Sequence, residues 1–216
     1  MTKKYSLGFA PPYGALPHGL SITRDGRYLV SAHEGGESVF RIEVGESSDD
    51  VIITPIPLGS AGERLRPFIA LLDGEDRYAY VPCNASGDVR VVDIAAGLVV
   101  KVIPIGGAPI SGGVSPDGRY VFVATWGKDA VDVIDTATQS LVRTISNEGR
   151  ETPVFARPHA VAFSSDARYA FVTNENTNGA YPQHHPTEAG GRDGNVTIIE
   201  VAAFAVMRAV DVEIDP

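Results

Sequence analysis

Residues 109–145 read PISGGVSPDGRYVFVATWGKDAVDVIDTATQSLVRTI. Residues 110–114 are a small, mostly apolar run. Ser115-Pro116-Asp117-Gly118 then supplies a tight turn: proline pre-sets φ, aspartate bonds nearby backbone, and glycine accepts positive φ. Tyr120, Val121, Phe122 and Val123 are aromatic or β-branched and predict a strand. Residues 126–129 make the next connection. Val131, Val133 and Ile134 mark a third strand, closed by Asp135 and a Thr136-Ala137-Thr138 turn, and residues 141–145 make a fourth. Four strands joined by short turns form one meandering sheet, and a lone sheet of this kind needs neighbours to bury its faces.

The neighbours are variants of the same stretch. Units open at Pro17, Pro67, Pro109 and Pro158, 50, 42 and 49 residues apart. Each carries an Arg-Tyr pair at a matched offset: Arg27-Tyr28, Arg77-Tyr78, Arg119-Tyr120 and Arg168-Tyr169. Each closes its third strand on an acid: Glu43, Asp93, Asp135 or Glu200. A period in the forties with four strands per unit predicts an all-β protein, a β-propeller of four-stranded antiparallel blades. The blades are expected over residues 17–58, 67–106, 109–146 and 158–215, with an extra strand at 3–10.

The repeated pattern P-h-x-h-x-h-S-x-D-G-R-Y-h-h-V (h, apolar), followed by x-V-x-V-I-D, resembles the YVTN-type propeller repeats. Tyr169-Ala170-Phe171-Val172-Thr173-Asn174 comes nearest to the name motif. Such repeats are similar to those of YncE-like, surface-layer and other exported propeller proteins, and to the haem d1 propellers of nitrite reductases. The resemblance covers about residues 17–215. It implies a seven- or eight-bladed ring, so this chain is expected to be part of a longer propeller or one of two chains completing a ring. Open blade edges would then be a route to self-association.

Composition narrows the function classes. The 216 residues carry a formal charge of −9, which disfavours non-specific binding to nucleic acid or anionic membranes. The single cysteine, Cys83, excludes an internal disulfide and a cysteine-rich zinc site. No apolar run approaches the roughly 20 residues of a membrane span. Residues 1–7 hold two lysines with no apolar segment behind them, which is not a signal peptide. The resemblance nevertheless implies a periplasmic or extracellular protein.

Strand direction alternates within a blade, so turns entering first strands and loops leaving second strands share one face. That face gathers all five histidines: His18, His33, His159, His184 and His185. It also carries Trp126, Asn174, Glu175 and a 16-residue insertion in the fourth repeat, and the connections at 59–66 and 146–157 bring Arg64, Arg66, Arg150 and Arg157. Loops on a rigid scaffold are where binding residues concentrate. The candidate ligand-binding residues are therefore His18, His33, Trp126, Arg157, His159, Asn174 and Glu175. His184 and His185 with Glu188 are candidate metal ligands, through imidazole and carboxylate. The plainer readings are polar loop residues, a histidine bonded to a neighbouring blade's backbone, and a half-buried tryptophan. Asp25, Asp117 and Asp166 resemble fragments of calcium loops, but without Asp-x-Asp-x-Asp spacing they read as turn residues.

There is no Ser-His-Asp order, phosphate loop or basic stripe. The leading reading is a non-catalytic scaffold that presents the His/Arg face to a protein or small-molecule partner, without a cofactor. The alternative is a propeller that binds haem or a divalent metal through His18 or His159, as the d1-haem resemblance implies. A lactonase-like hydrolase is a third.

Overall fold

A computed structural model describes residues 16–45, 50–175 and 194–212. The chain divides into two compact units, Met1–Ile110 and Ser111–Pro216. In the first, β1 (Pro17–Ile22), β2 (Tyr28–His33), β3 (Ser38–Val44) and β4 (Val51–Pro57) form one sheet in sequence order. A second sheet holds β5 (Leu71–Leu72), β6 (Tyr78–Cys83), β7 (Asp88–Asp93) and β8 (Leu98–Pro104). The third holds β9 (Pro109–Val114), within which the division falls, β10 (Tyr120–Thr125), β11 (Ala130–Asp135) and β12 (Ser140–Ser146). The fourth holds β13 (Pro158–Phe163), β14 (Tyr169–Asn174), β15 (Gly194–Glu200) and β16 (Ala205–Val212). The four antiparallel meanders match the four repeats.

Register explains the repeated columns. Each repeat tyrosine lies directly opposite its acid: Tyr28↔Glu43, Tyr78↔Asp93, Tyr120↔Asp135 and Tyr169↔Glu200. The preceding arginine stacks on its own tyrosine in every repeat, with guanidinium-to-ring distances of 4.7–5.2 Å. It also reaches the acid in the first two, Arg27–Glu43 at 3.4 Å and Arg77–Asp93 at 3.9 Å. In the last two it donates instead to the tyrosine hydroxyl.

The turn aspartates behave as turn chemistry predicts. Asp25, Asp117 and Asp166 each accept from a hydroxyl two residues before and a backbone N–H two residues after. Glycine follows the first two. Ala167 follows the third and holds φ at 58°, where its Cβ is unfavourable.

β6 and β10 bury almost every residue, which accounts for their near-continuous apolar runs. Within the first unit, Val30, Ala32, Val39 and Ile56 pack against Ala70, Ala79, Val81 and Cys83. The approach is close at Gly19: a Cβ there would come within 2.4 Å of the Phe68 carbonyl oxygen. Arg41 donates across the same interface to the Ile94 and Ala95 carbonyls at 2.9 Å. Within the second unit, Phe122 meets Phe163 edge-on at 5.1 Å, and a Cβ at Gly113 would meet the Val161 carbonyl at 2.7 Å.

Three local details go beyond the repeat pattern. The first strand of the second sheet is two residues long, with Pro67 joined only through an isolated bridge to Cys83. Residues 126–128 wind into a 3-10 turn, with Asp129 left-handed behind it at φ 47°. The fourth strand of the fourth repeat is described over Ala205–Val212. Residues 3–10 lie outside the described residues. Among the described residues no helix is long and apolar enough to cross a membrane.

Candidate functional site

In the second unit the fourth sheet opens on Arg157-Pro158-His159. A residue before proline is normally pushed to extended backbone, because the ring crowds it. Arg157 instead holds φ at 51°. Its N–H donates to Asp129 Oδ1 at 2.7 Å, and its carbonyl accepts from the Glu175 N–H at 3.3 Å. The guanidinium lies 4.9 Å from the Trp126 ring centroid, a cation–π contact. The Trp126 Nε1–H is buried and makes no hydrogen bond among the described residues. His159 Nε2 stands 3.8 Å from Glu175 Oε1, with the imidazole 29% exposed. Pro158 thus separates a half-buried imidazole from a guanidinium stacked on the chain's only tryptophan.

Asn174 and Glu175 divide sharply. Asn174 is the last residue of β14 and is buried. Its Nδ2 donates to Asn195 Oδ1 at 2.7 Å and Thr197 Oγ1 at 3.0 Å, and its Oδ1 accepts from the Ala156 N–H at 3.3 Å. It braces the 146–157 connection instead of lining a surface, because the end of β14 faces inward. Glu175, one residue on, sits beside His159.

The first unit carries a related arrangement. Arg66, also before a proline, holds φ at 55°. Its guanidinium lies 5.6 Å from the Phe68 ring and pairs with Glu34. The Phe68 carbonyl accepts from His18 Nδ1 at 3.1 Å, and the two rings meet edge-on at 4.7 Å. His18 is thus bonded to the backbone of the adjacent sheet. His33 belongs to β2, not to the loop after it; it is buried, bonded to Ser31 Oγ at 2.9 Å and packed on Phe40.

A groove of about 420 Å³ lies between residues 34–37 and 62–66. Its carboxylates are engaged internally: Glu37 accepts from the Gly62 N–H, Glu34 pairs with Arg66, and Glu63 takes Arg90 at 2.7 Å. The Arg90 hydrogen bond, foremost, holds the Glu63 carboxyl below its usual range. Arg90, nearly buried, also donates to Asp88 and to the Leu58 carbonyl. Cys83 is buried, and desolvation pushes its thiol far up, so it is an inert core residue.

Among the described residues no three His, Cys, Asp or Glu side chains gather as a metal site. His184, His185 and Glu188 lie outside the described residues.

The Cytochrome D1 heme domain model matches residues 68–181, just over half of the chain. The chain belongs to the cytochrome d1 haem domain family. Its relatives include the protein NirF of Pseudomonas aeruginosa, 27% identical over 164 residues, which make up 71% of this chain and 41% of NirF. The seven-bladed β-propeller protein Rv1057 of Mycobacterium tuberculosis is 27% identical over 140 residues, 62% of this chain and 34% of that protein. Among solved structures, Kuenenia stuttgartiensis hydrazine synthase superposes with a TM-score of 0.73 at 23% identity, over 97% of this chain and 53% of the other. The four sheets are therefore blades of a β-propeller. This cytochrome d1-like chain spans less than half the length of the curated relatives it matches.

The matched segment of this d1-type propeller contains Trp126, Arg157, His159 and Glu175, which the fold brings together. Sequence reasoning missed Asp129 and Asn147, the side chains that hold this segment's backbone. Asn147 carried a signal, since Asn in a connection commonly bonds nearby backbone; Asp129, 28 residues from Arg157, carried none.

Proposed function

We propose that the chain is a ligand-binding part of a haem d1-type propeller, and that Arg157 and His159 contact the ligand. The observation that carries this reading is the imidazole and guanidinium flanking Pro158, inside the segment that matches the d1 haem domain. The donor set suits an anionic, iron-bearing tetrapyrrole. Imidazole is a common iron ligand, and a guanidinium binds carboxylates through paired N–H groups. When bound, such a group supplies redox-active iron; the chain's own residues hold and orient it. Glu175 Oε1, 3.8 Å from His159 Nε2, is the carboxylate placed to help orient the imidazole. In the first unit the His18 ring is bonded to the Phe68 carbonyl and Arg66 is paired with Glu34, outside most of the matched segment.

The test is an absorption titration of the purified chain with haem d1, with haem b as comparison. Saturable binding of haem d1 is expected. His159→Ala should alter the spectrum of the complex, and Arg157→Ala should weaken affinity about tenfold, one charge-assisted contact's worth. Absence of binding, or parent-like spectra and affinity in both variants, overturns the reading.

A further inference from the structure

We infer that Asn147 and Asp129 are positioning residues for the Arg157–His159 pair, holding residues 154–157 in the binding arrangement before any ligand arrives. The inference rests on the ligand reading above for what is positioned, but its structural basis is separate. Residues 154–157 form no strand, so their backbone groups need partners other than a sheet ladder. Side chains supply nearly all of them. Asn147 Oδ1 accepts from the Val154 and Phe155 N–H groups at 2.9 and 3.0 Å, while its Nδ2 donates to the Phe155 carbonyl at 2.8 Å. The Val154 carbonyl accepts from Thr197 Oγ1, and Asn174 Oδ1 accepts the Ala156 N–H. Asp129 Oδ1 takes the Arg157 N–H. The Phe155 side chain is sunk in the core between these anchors, 1% exposed.

This web meets at a strained point. Arg157 is left-handed before proline, and Asp129, which holds it, is left-handed too, at φ 47°. Two unfavourable backbone conformations joined by one hydrogen bond persist only where the surroundings over-determine them. Here the surroundings are Asn147 on one side and Asp129, at the end of the Trp126 turn, on the other. The consequence is that the guanidinium is placed over the Trp126 ring rather than left to sample solvent. Preorganisation of this kind raises affinity by removing the ordering cost at binding. The first unit does not copy the device, since its 59–66 connection is anchored through Arg90 on the Leu58 carbonyl and Glu63.

Trp126 is the chain's only tryptophan, so its emission reports on the Arg157 stack. Asn147→Ala and Asp129→Ala are expected to move that emission to the value of Arg157→Ala, and to weaken haem d1 binding about tenfold. Asp129→Asn keeps an acceptor for the Arg157 N–H and should retain parent emission. Thr136→Ala removes a bond to the Gly118 carbonyl at the far end of the third sheet. It should lower the melting temperature without moving the emission. Asp129→Ala carries the test should Asn147→Ala not fold. Parent-like emission in Asp129→Ala, with Arg157→Ala shifted, overturns the inference. If the emission shifts as expected but the parent chain takes up no haem d1, the positioning stands and the ligand reading falls.

Discussion

The Asp117 carboxylate shows how a turn residue becomes a pH-dependent contributor to stability. Its partial burial alone would raise its pKa. The Ser115 hydroxyl at 2.6 Å and the Arg119 N–H at 3.1 Å more than offset that, and hold it below the usual carboxylate range. Asp25 and Asp166 are lowered by the same turn geometry, led by the Thr23 and Ser164 hydroxyls. A depressed native pKa means that the unfolded chain binds more protons in the acid range. The contribution is therefore complete above about pH 4, the ordinary aspartate region, and is lost as pH falls through the native value. Asp117→Asn should flatten the fall in stability below pH 4, measured as urea midpoints across an acid series. An unchanged slope would remove Asp117 from the account. At the same scale, the two arginines before prolines show what the sequence cannot announce. Arg66 and Arg157 read as ordinary loop cations, yet both are left-handed and both lie against an aromatic ring.

At the level of elements, sheets in a unit approach closely where a glycine faces neighbouring backbone. Gly19 of β1 is the clearest case, because the Phe68 carbonyl and the Ile69 Cα occupy the space a methyl group would need. Both neighbours are near-rigid backbone, so Gly19→Ala should destabilise the first unit by about 2 kcal/mol, an over-packing cost. Denaturant unfolding followed by far-ultraviolet circular dichroism measures it, and a parent midpoint would show that the interface yields. The bulges have a matching regularity. Register shifts fall between Val91 and Val92, Val133 and Ile134, and Ile198 and Ile199, one column in three repeats, whereas the β3–β4 pairing is unbroken. Bulges increase local twist, so the outer strands of three blades share a distortion that the first lacks.

Across the whole molecule, charge and site pull in opposite directions. The formal charge is −9, yet the candidate site is built on a guanidinium and an imidazole. Local complementarity then has to select an anionic ligand against a repulsive overall field, which favours a compact ligand over a polyanion. Duplex DNA at 150 mM salt, roughly physiological ionic strength, should leave the chain's electrophoretic mobility unchanged. A retarded complex would show that the basic loops dominate the field. The same contrast fits the haem d1 reading, in which a few carboxylates meet one arginine.

Much of the fold was legible from residues alone. Prolines opening each repeat, Asp-Gly turns, Arg-Tyr pairs and closing acids recur because each is required by local geometry, and local geometry is written in short stretches. The pairing of Tyr120 with Asp135, or Tyr28 with Glu43, follows once the turn length is known. The clustering of Trp126, Arg157, His159 and Glu175 at one end of the blades was legible too, since strand direction alternates. The sequence alone could not separate Glu175 from Asn174, or His159 from His33. Burial of Asn174 and His33 depends on which face of a strand meets a neighbouring element, and that is a long-range property. Nor could it foresee that Asp129 holds the backbone before Pro158. A partner 28 residues away and a left-handed arginine arise only when separate strands and loops are packed together. Sequence determined the repeats and the blades; tertiary packing decided which polar side chains stay near the surface and which brace the chain, because only packing sets what each one is hidden from.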